Sequence, residues 1–469
     1  MPSLRTKQEL ARIAQSFALM ADLVKYRGHL YMPVHFMSAM PAHKVDDIQK
    51  NQVVWKPLST EEIVAIGNTM SSILFATDGE VRSYILMLKQ FATPAMESNR
   101  LLVRMGDTHV EMLQPDGSFA PADGEFVPNY LDVPYVPDGE LTKQLYATVI
   151  EWVGGEENAK SLLHHLATIL QPGWSAARYV LLLGSGRNGK STLLKMLLAL
   201  FGEDNISGIT RQDMAGRRPI ISELNGKLAN IVLDGPKEFL KDSSTEKTLV
   251  VGERLKIEMK YENSAFTVQT NALFIEGLQQ EPKVSDKSSA LQARLVRFKF
   301  PNKYPLNLGF EAQMLRPEML AAMLDLLIRH WVMKDEIAAK LSVTADSMDL
   351  QMQAVWTSSP ILRFLEYTAA RDRAFLQKIL DQQMIVDVFL FTYRPWLEAN
   401  GYKNMEDDYL MQQIGDHFVT DRKTFRIDKK PTTKRYIKSC LDDTNNAINT
   451  LLLGGTLEHS EEDQAILSD

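Results

Sequence analysis

Apolar residues recur at helical spacing in LARIAQSFALMADLVKY and in EEIVAIGNTMSSILFA, so residues 5–90 read as mostly helical. Residues 100–136 change character. LLVRMGDTHVEML alternates apolar and polar positions and QPDGSFAPADGEF is turn chemistry, which predicts short strands and hairpins. VPYVPDGE (133–140), with two prolines and a glycine, reads as a connector to a helical pair, LTKQLYATVIEWVGG and NAKSLLHHLATILQP. From Arg178 to about Tyr304, apolar runs alternate with helices, the pattern of a parallel sheet covered by helices. After Pro305 the chain turns helical again through MLAAMLDLLIRHWVM and ILRFLEYTAA. These shifts predict a helical N-terminal region (1–99), a small β-rich region and connector (100–140), an α/β core with its preceding helices (141–304), a helical lid or connector (305–354), a helical C-terminal domain with room for a hairpin (355–440) and an acidic tail (441–469).

Composition narrows the class without deciding it. A length of 469 residues predicts two to four domains, and 45% hydrophobic with 24% charged residues is the balance of a globular protein. No apolar run reaches the roughly 18–20 residues of a membrane span, and MPSLRTKQELARIAQ lacks the apolar centre of a secretion signal. A lone cysteine, Cys440, excludes an internal disulfide and a multi-cysteine zinc site and fits a reducing cytosol. The expectation is a cytoplasmic protein with no membrane contact. His164 and His165 in LLHHLA read as helix-face residues, since no further metal ligand lies near.

The net charge of −7 carries no global basic signature, so nucleic-acid contacts must be sought locally. Residues 421–438 hold eight Lys/Arg against two Asp, a local balance of +6. That segment either contacts duplex DNA, with Phe425 and Tyr436 among its charges, or is a solvated stretch. Residues 441–469 hold seven Asp/Glu and no Lys or Arg, which reads as a disordered, solubilising tail.

The strongest chemical signal is Gly184-Ser185-Gly186-Arg187-Asn188-Gly189-Lys190-Ser191-Thr192, which satisfies G-x-x-x-x-G-K-[ST]. It follows the strand-like run RYVLLL and opens the helix-like LLKMLLALF. Glycines let backbone N–H groups wrap phosphates, and the helix turns its positive end toward them. Lys190 would neutralise the terminal phosphates of ATP, and the Ser191 hydroxyl would hold Mg²⁺. Downstream, KLANIVLDG is an apolar strand ending in Asp234, a position from which a carboxylate holds Mg²⁺. Position 235 is glycine, so the acid that polarises the attacking water is not adjacent. Glu238 is the nearest candidate and Glu223 a poorer one.

Two alternating stretches in GERLKIEMKYENSAFTVQTNALFI predict a hairpin. Lys256 and Lys260 fall on one face of its first strand, which suits a phosphate backbone or simply a solvated edge. The second stretch runs into Thr270-Asn271, and Asn271 at a strand end could sense the γ-phosphate or the lytic water. In SSALQARLVRFKFP, Arg294 lies between a helix and a strand, from where it could reach an adjacent subunit's ATP.

In this order, the elements resemble superfamily 3 helicases of the poxvirus-type and phage/plasmid primase-helicase branch. The matching residues are Asn188 to Thr192, Leu224-Asn225-Gly226-Lys227 leading into Ile231 to Asp234, Gly252-Glu253 with Lys260-Tyr261, Thr270-Asn271, and Ser289-Ala290 through Arg294. VFLFTYRPWLEANGY (388–402) is similar to the family's C-terminal Y-x-x-W helix. The resemblance covers roughly residues 100–410 and is strongest over 178–300. It implies an α/β fold: a P-loop, AAA+-like parallel-sheet ATPase core with a mixed α+β N-terminal region and a helical, winged-helix-like C-terminal domain. It further implies a homo-hexameric ring moving 3′→5′ on single-stranded or forked DNA, alongside a separate primase, polymerase or single-strand-binding protein. In that scheme Asp234 is the Walker B acid, Asn271 the sensor, Arg294 the finger in trans, and Lys256 with Lys260 the tracking hairpin.

The chain departs from the family pattern in two places. The Leu-Pro pair that follows the sensor Asn is replaced by Ala-Leu-Phe-Ile-Glu-Gly-Leu, and QQEPKVSDKSS fills the gap before Arg294. Two other classes stay open: a P-loop ATPase that remodels or loads a protein partner without moving on DNA, and a small-molecule kinase. Residues 1–99 fit an oligomerisation collar or a partner-binding domain equally well.

Overall fold

A computed structural model describes residues 6–37, 49–71, 75, 77–216, 218–236, 243–258, 265–279, 289–331, 336, 340–348, 350–351, 359–400, 407–427 and 430–452. The chain divides into two compact units, Met1–Met348 and Asp349–Asp469.

The N-terminal region is mixed rather than helical. Helix α1 (Lys7–Met20) opens on a capping box in which Thr6 and Glu9 satisfy each other's backbone N–H groups. Its apolar pattern continues past Met20, but the helix does not. Asp22 takes a positive φ of 47°, and strand β1 (Val24–Tyr26) follows. Arg27 and Gly28 have φ values of 45° and 87°, which makes them a two-residue turn with both dihedrals positive between β1 and β2 (His29–His35). Strands β3 (Val53–Pro57) and β4 (Thr93–Pro94) complete a sheet of order β3-β2-β1-β4, joined by helices α2 (Thr60–Ser71) and α3 (Asp78–Phe91). The helical expectation for 1–99 thus fails where near-continuous apolar runs such as LYMPV form buried strands.

Residues 101–131 form a second sheet, order β7-β6-β5-β8, from β5 (Leu101–Met105), β6 (His109–Leu113), β7 (Phe119–Pro121) and β8 (Tyr130–Leu131). Leu102, Val110 and Val127 share one core with Phe17, Val34, Tyr84 and Leu88, so the expected boundary at residue 99 is not a boundary in packing.

Asp138 caps helix α4 (Gly139–Val153), which ends on left-handed Gly154, and α5 (Glu156–Ala167) follows. Next come β9 (Tyr179–Leu183), α6 (Lys190–Phe201), β10 (Ile206–Ser207), α7 (Arg211–Gly216), β11 (Ala229–Val232) and α8 (Ser244–Val250). An antiparallel pair, β12 (Leu255–Glu258) and β13 (Ala265–Val268), precedes β14 (Leu273–Leu278), α9 (Ser289–Gln292) and β15 (Leu295–Lys299). Five strands form one all-parallel sheet of order β10-β11-β14-β9-β15. Its strands are buried on both faces, which is why they read as apolar runs interrupted only at single positions such as Asn230, Glu276 and Arg297. Helix α10 (Leu308–Met314) leads to α11 (Pro317–Arg329), which packs on α4. Buried Asp325 of α11 pins that contact, accepting from Thr142 Oγ1 at 2.7 Å, Tyr135 Oη at 3.3 Å and Arg329 Nε at 2.8 Å.

The second unit is a helical body of α12 (Pro360–Arg371), α13 (Arg373–Leu380), α14 (Val386–Ala399), α15 (Asp407–His417) and α16 (Asp442–Leu452). Between the last two runs a long hairpin, β16 (Phe418–Ile427) with β17 (Lys430–Cys440), so the basic segment is ordered strand rather than a loose stretch. Its register sets Arg422 opposite Arg435 and Lys423 opposite Lys434. The acidic segment also departs from expectation, because Ile448, Leu451 and Leu452 recur at helical spacing and pack on the aromatic core around Phe389. The rest of that tail, 453–469, lies outside the described residues. Among the described residues no helix is long and apolar enough to cross a membrane.

His165 is fully buried on α5, its Nδ1 2.7 Å from the Ser161 carbonyl, and burial lowers its pKa from 6.5 to about 4. The folded state favours the neutral ring, so its stabilising contribution is present above pH 6.5 and is lost as pH falls toward 4. Between pH 7.5 and 4 the wild type should therefore lose about 3 kcal/mol more unfolding free energy than His165→Leu. Urea titrations of both proteins at the two pH values measure this difference, and equal losses would refute it.

Candidate active site

The carboxyl edge of the parallel sheet brings three strands and one loop together. Leu183 O accepts from Phe300 N at 2.7 Å, and Gly184 N donates to Leu278 O at 3.2 Å. The Gly184–Gly189 loop therefore leaves β9 where β14 and β15 both end. Gly184 has φ +151°, and a Cβ there would fall 2.7 Å from Phe300 O. Gly189 has φ +96°, with the Trp152 ring of α4 where a Cβ would stand. Between these points buried Asn188 fastens the loop. Its Nδ2 donates to Phe300 O at 3.2 Å, and its Oδ1 accepts from Lys190 Nζ at 3.1 Å.

Lys190 is the first residue of α6 and is buried. Its ammonium also donates to the carbonyls of Gly184 and Ser185, folding back over the loop. Burial lowers its pKa, and the charge of Asp234 acts in the opposite direction. Ser185, Gly186 and Arg187 form the exposed crest of the loop, Ser191 is exposed beside it and Thr192 is half-buried. Lys190 after β9 and Asp234 after β11 therefore stand at the same edge of the parallel sheet.

Asp234 follows β11, and the turn behind it is tied to the neighbouring strand by Gly235 N donating to Gly277 O at 2.8 Å. At Gly277 a Cβ would lie 2.6 Å from Leu233 O and 2.9 Å from Leu194 Cδ1, so turn, strand and α6 meet without space for a side chain. The preceding residue, Glu276, is 1% exposed and pairs in register with Val232 and Leu181. Tyr179 Oη donates to its Oε2 at 3.4 Å, and the Tyr179 pKa is raised by burial first and by Glu276 next. Arg211 lies 5.6 Å from the Tyr179 ring centroid and donates from Nε to Glu246 at 3.1 Å, both side chains buried. Glu276 did not figure among the residues expected here. Its one sequence signal is a lone carboxylate in the apolar run LFIEGL.

Other expected residues lie elsewhere. Asn271 precedes β14, at the amino edge of the sheet, opposite the Gly184 loop. There it lines a small pocket with Gly173, Gly226 and Lys227. The structure does not bring Asn271 to the Gly184–Gly189 loop, because the central strand begins after it rather than ending at it. Arg294 also lies at the amino edge, its carbonyl accepting from Tyr179 N at 2.7 Å. Lys256 is exposed on β12 opposite Thr267, while its neighbour Ile257 is buried. Glu223 is exposed ahead of the amino end of β11, away from the loop. Lys260 and Glu238 lie outside the described residues.

Residues 182–289 match a family model described as a family of unknown function (DUF5906). The chain is also similar to a solved structure, the A form apo structure of the NrS-1 C-terminal region. That match has a TM-score of 0.50 at 13% identity and covers 93% of this chain and 99% of that one. A second apo structure of the NrS-1 C-terminal region matches at TM-score 0.41 and 14% identity, covering 87% of this chain and 84% of the other. At these identities the likeness to the first of them is one of fold: a mixed α/β chain with a parallel sheet and a helical C-terminal part.

Proposed function

We propose that the protein is an ATP-hydrolysing motor of the superfamily 3 helicase type that unwinds DNA in the replication of a phage or similar element. The observation that carries this reading is the placement of Lys190 and Asp234 at the carboxyl edge of a parallel sheet, beside a loop in which Gly184 and Gly189 stand where side chains do not fit. Open α/β sheets bind ligands in the crevice outside the carboxyl ends of their strands, at the point where the strand order reverses. Here β9 crosses to the far edge at β10, the chain returns through β11 and β14, and then passes β9 to reach β15. The Gly184 loop stands at that reversal.

The residues fit ATP with Mg²⁺. Loop N–H groups and the α6 amino end suit a polyphosphate. The Lys190 ammonium, now on loop carbonyls, would move to the β- and γ-phosphate oxygens. Exposed Ser191 and Asp234 would hold the ion, which supplies charge neutralisation at the leaving phosphate. Arg294 would act on the ATP of a neighbouring subunit in a homo-hexamer, a role compatible with its distance from the loop of its own chain. Exposed Lys256 on the β12–β13 hairpin would grip single-stranded DNA.

Lys190→Ala should abolish both ATP binding and hydrolysis. Asp234→Asn should keep binding within about tenfold and lower hydrolysis by about 100-fold or more. Nucleotide titration and phosphate release measure the two effects, and a Lys190→Ala protein that still hydrolyses ATP contradicts the reading.

Single-stranded DNA should raise the hydrolysis rate, and Lys256→Ala should diminish that increment. A rate indifferent to DNA in every active protein would remove the helicase claim and favour an ATPase that remodels a protein partner.

A further inference from the structure

Glu238 lies outside the described residues, and position 235, which follows the metal-site acid, is glycine, so it supplies no second carboxylate to activate water. The neighbouring strand does. An ideal Cβ built on Gly235 would fall 2.1 Å from Glu276 Oε1 and 2.5 Å from its Cδ. The Glu276 carboxylate therefore fills the space in which a side chain at 235 would begin. We propose that Glu276 is the general base of ATP hydrolysis, a second acid delivered from β14 into the gap left by Gly235.

Three further observations support the assignment, which rests on the ATPase reading above. First, β14 is the strand to which both halves of the site are tied. Gly235 N donates to Gly277 O and Gly184 N donates to Leu278 O, so Glu276 immediately precedes the two residues that anchor the Asp234 turn and the phosphate loop. Second, the carboxylate is oriented. Tyr179 donates to Oε2, and burial with the nearby acids keeps that phenol protonated, which leaves Oε1 turned toward Gly235. Third, Glu276 is buried on a sheet face shared with apolar Phe274, Leu278 and Leu181 and with a chain of contacts through Tyr179 and Arg211 to Glu246, and a carboxylate there costs stability that an apolar residue would not. The other described candidate, Glu223, lies before the amino end of β11 and is not near the loop.

In the step assigned to it, Glu276 Oε1 takes a proton from water as the water oxygen bonds to the γ-phosphorus. The bond from that phosphorus to the β–γ bridging oxygen breaks, its electron pair staying on ADP. The products are ADP and phosphate, and the proton passes from Glu276 to solvent. Tyr179 is a positioning residue for this base.

The test compares wild type, Lys190→Ala, Glu276→Gln, Glu276→Ala and a transposed double variant, Glu276→Ala with Gly235→Glu, in the full chain. Binding of a fluorescent ATP analogue, ATP-induced thermal stabilisation and steady-state phosphate release are read for each. Glu276→Gln should bind and be stabilised like wild type while releasing phosphate about 100-fold or more slowly. The transposed variant should recover at least about tenfold over Glu276→Ala alone, because the carboxylate then starts from the vacated position. Hydrolysis by Glu276→Gln within about threefold of wild type overturns the assignment and leaves the ATPase reading intact. Loss of binding together with hydrolysis, with no recovery on transposition, overturns it in favour of a structural strut. A wild type that neither binds nor hydrolyses ATP, or an active Lys190→Ala, removes the ATPase reading itself and the assignment with it.

Discussion

The delivery of Lys190 and Asp234 to one edge of the sheet is the constraint that organises the site. The two residues come from different strand–helix units and share no local sequence context. A parallel sheet solves the problem, since every strand ends on the same edge and whatever follows each strand is delivered there. The approach is then limited by backbone contact. Gly184 and Gly277 stand where a Cβ would meet a backbone carbonyl closer than 3 Å. Added side chains at these positions would push apart the elements that hold the charges together.

Below that edge, the two faces of the sheet are not alike. The face under α6 is apolar, with Val180, Leu182, Leu194 and Ile275 in one core. The other carries Glu276, Tyr179, Arg211 and Glu246 in contact, embedded among Ile209, Leu249 and Phe274. Buried ionic groups rarely add net stability over apolar packing, so such a row is more readily understood as functional. It also joins α7 to α8, which ends at Val250, five residues before the first residue of β12. A change at Glu276 has a continuous set of contacts toward the element that carries Lys256.

How much of this was legible in the sequence depended on how local each signal was. The Gly184–Thr192 loop is a contiguous segment with a strand before it and a helix after it, and Asp234 follows an apolar run; both are readable from neighbours alone. Asn271 was not. FTVQTNALFI reads as one strand ending near Asn271, yet the chain breaks between Val268 and Leu273, where Thr270 Oγ1 accepts from Ala272 N, and the central strand starts after the break. A one-element shift in the reading moved the residue to the wrong edge of the sheet. Glu276 was hidden for the opposite reason: its neighbour Gly235 is distant in sequence, and only strand pairing puts them together. In the N-terminal region the Arg27-Gly28 turn lacks the usual Asn-Gly or Asp-Gly signature, so a hairpin passed for the tail of a helix.

The most direct test of the central claim is an experimental structure with a non-hydrolysable ATP analogue and Mg²⁺. The triphosphate is expected on the Gly184–Gly189 loop, with the Lys190 ammonium transferred from the Gly184 and Ser185 carbonyls to the β- and γ-phosphates and the ion between Ser191 and Asp234. A nucleotide bound elsewhere, such as the amino-edge pocket beside Gly173 and Asn271, with Lys190 still on its own loop, would contradict it.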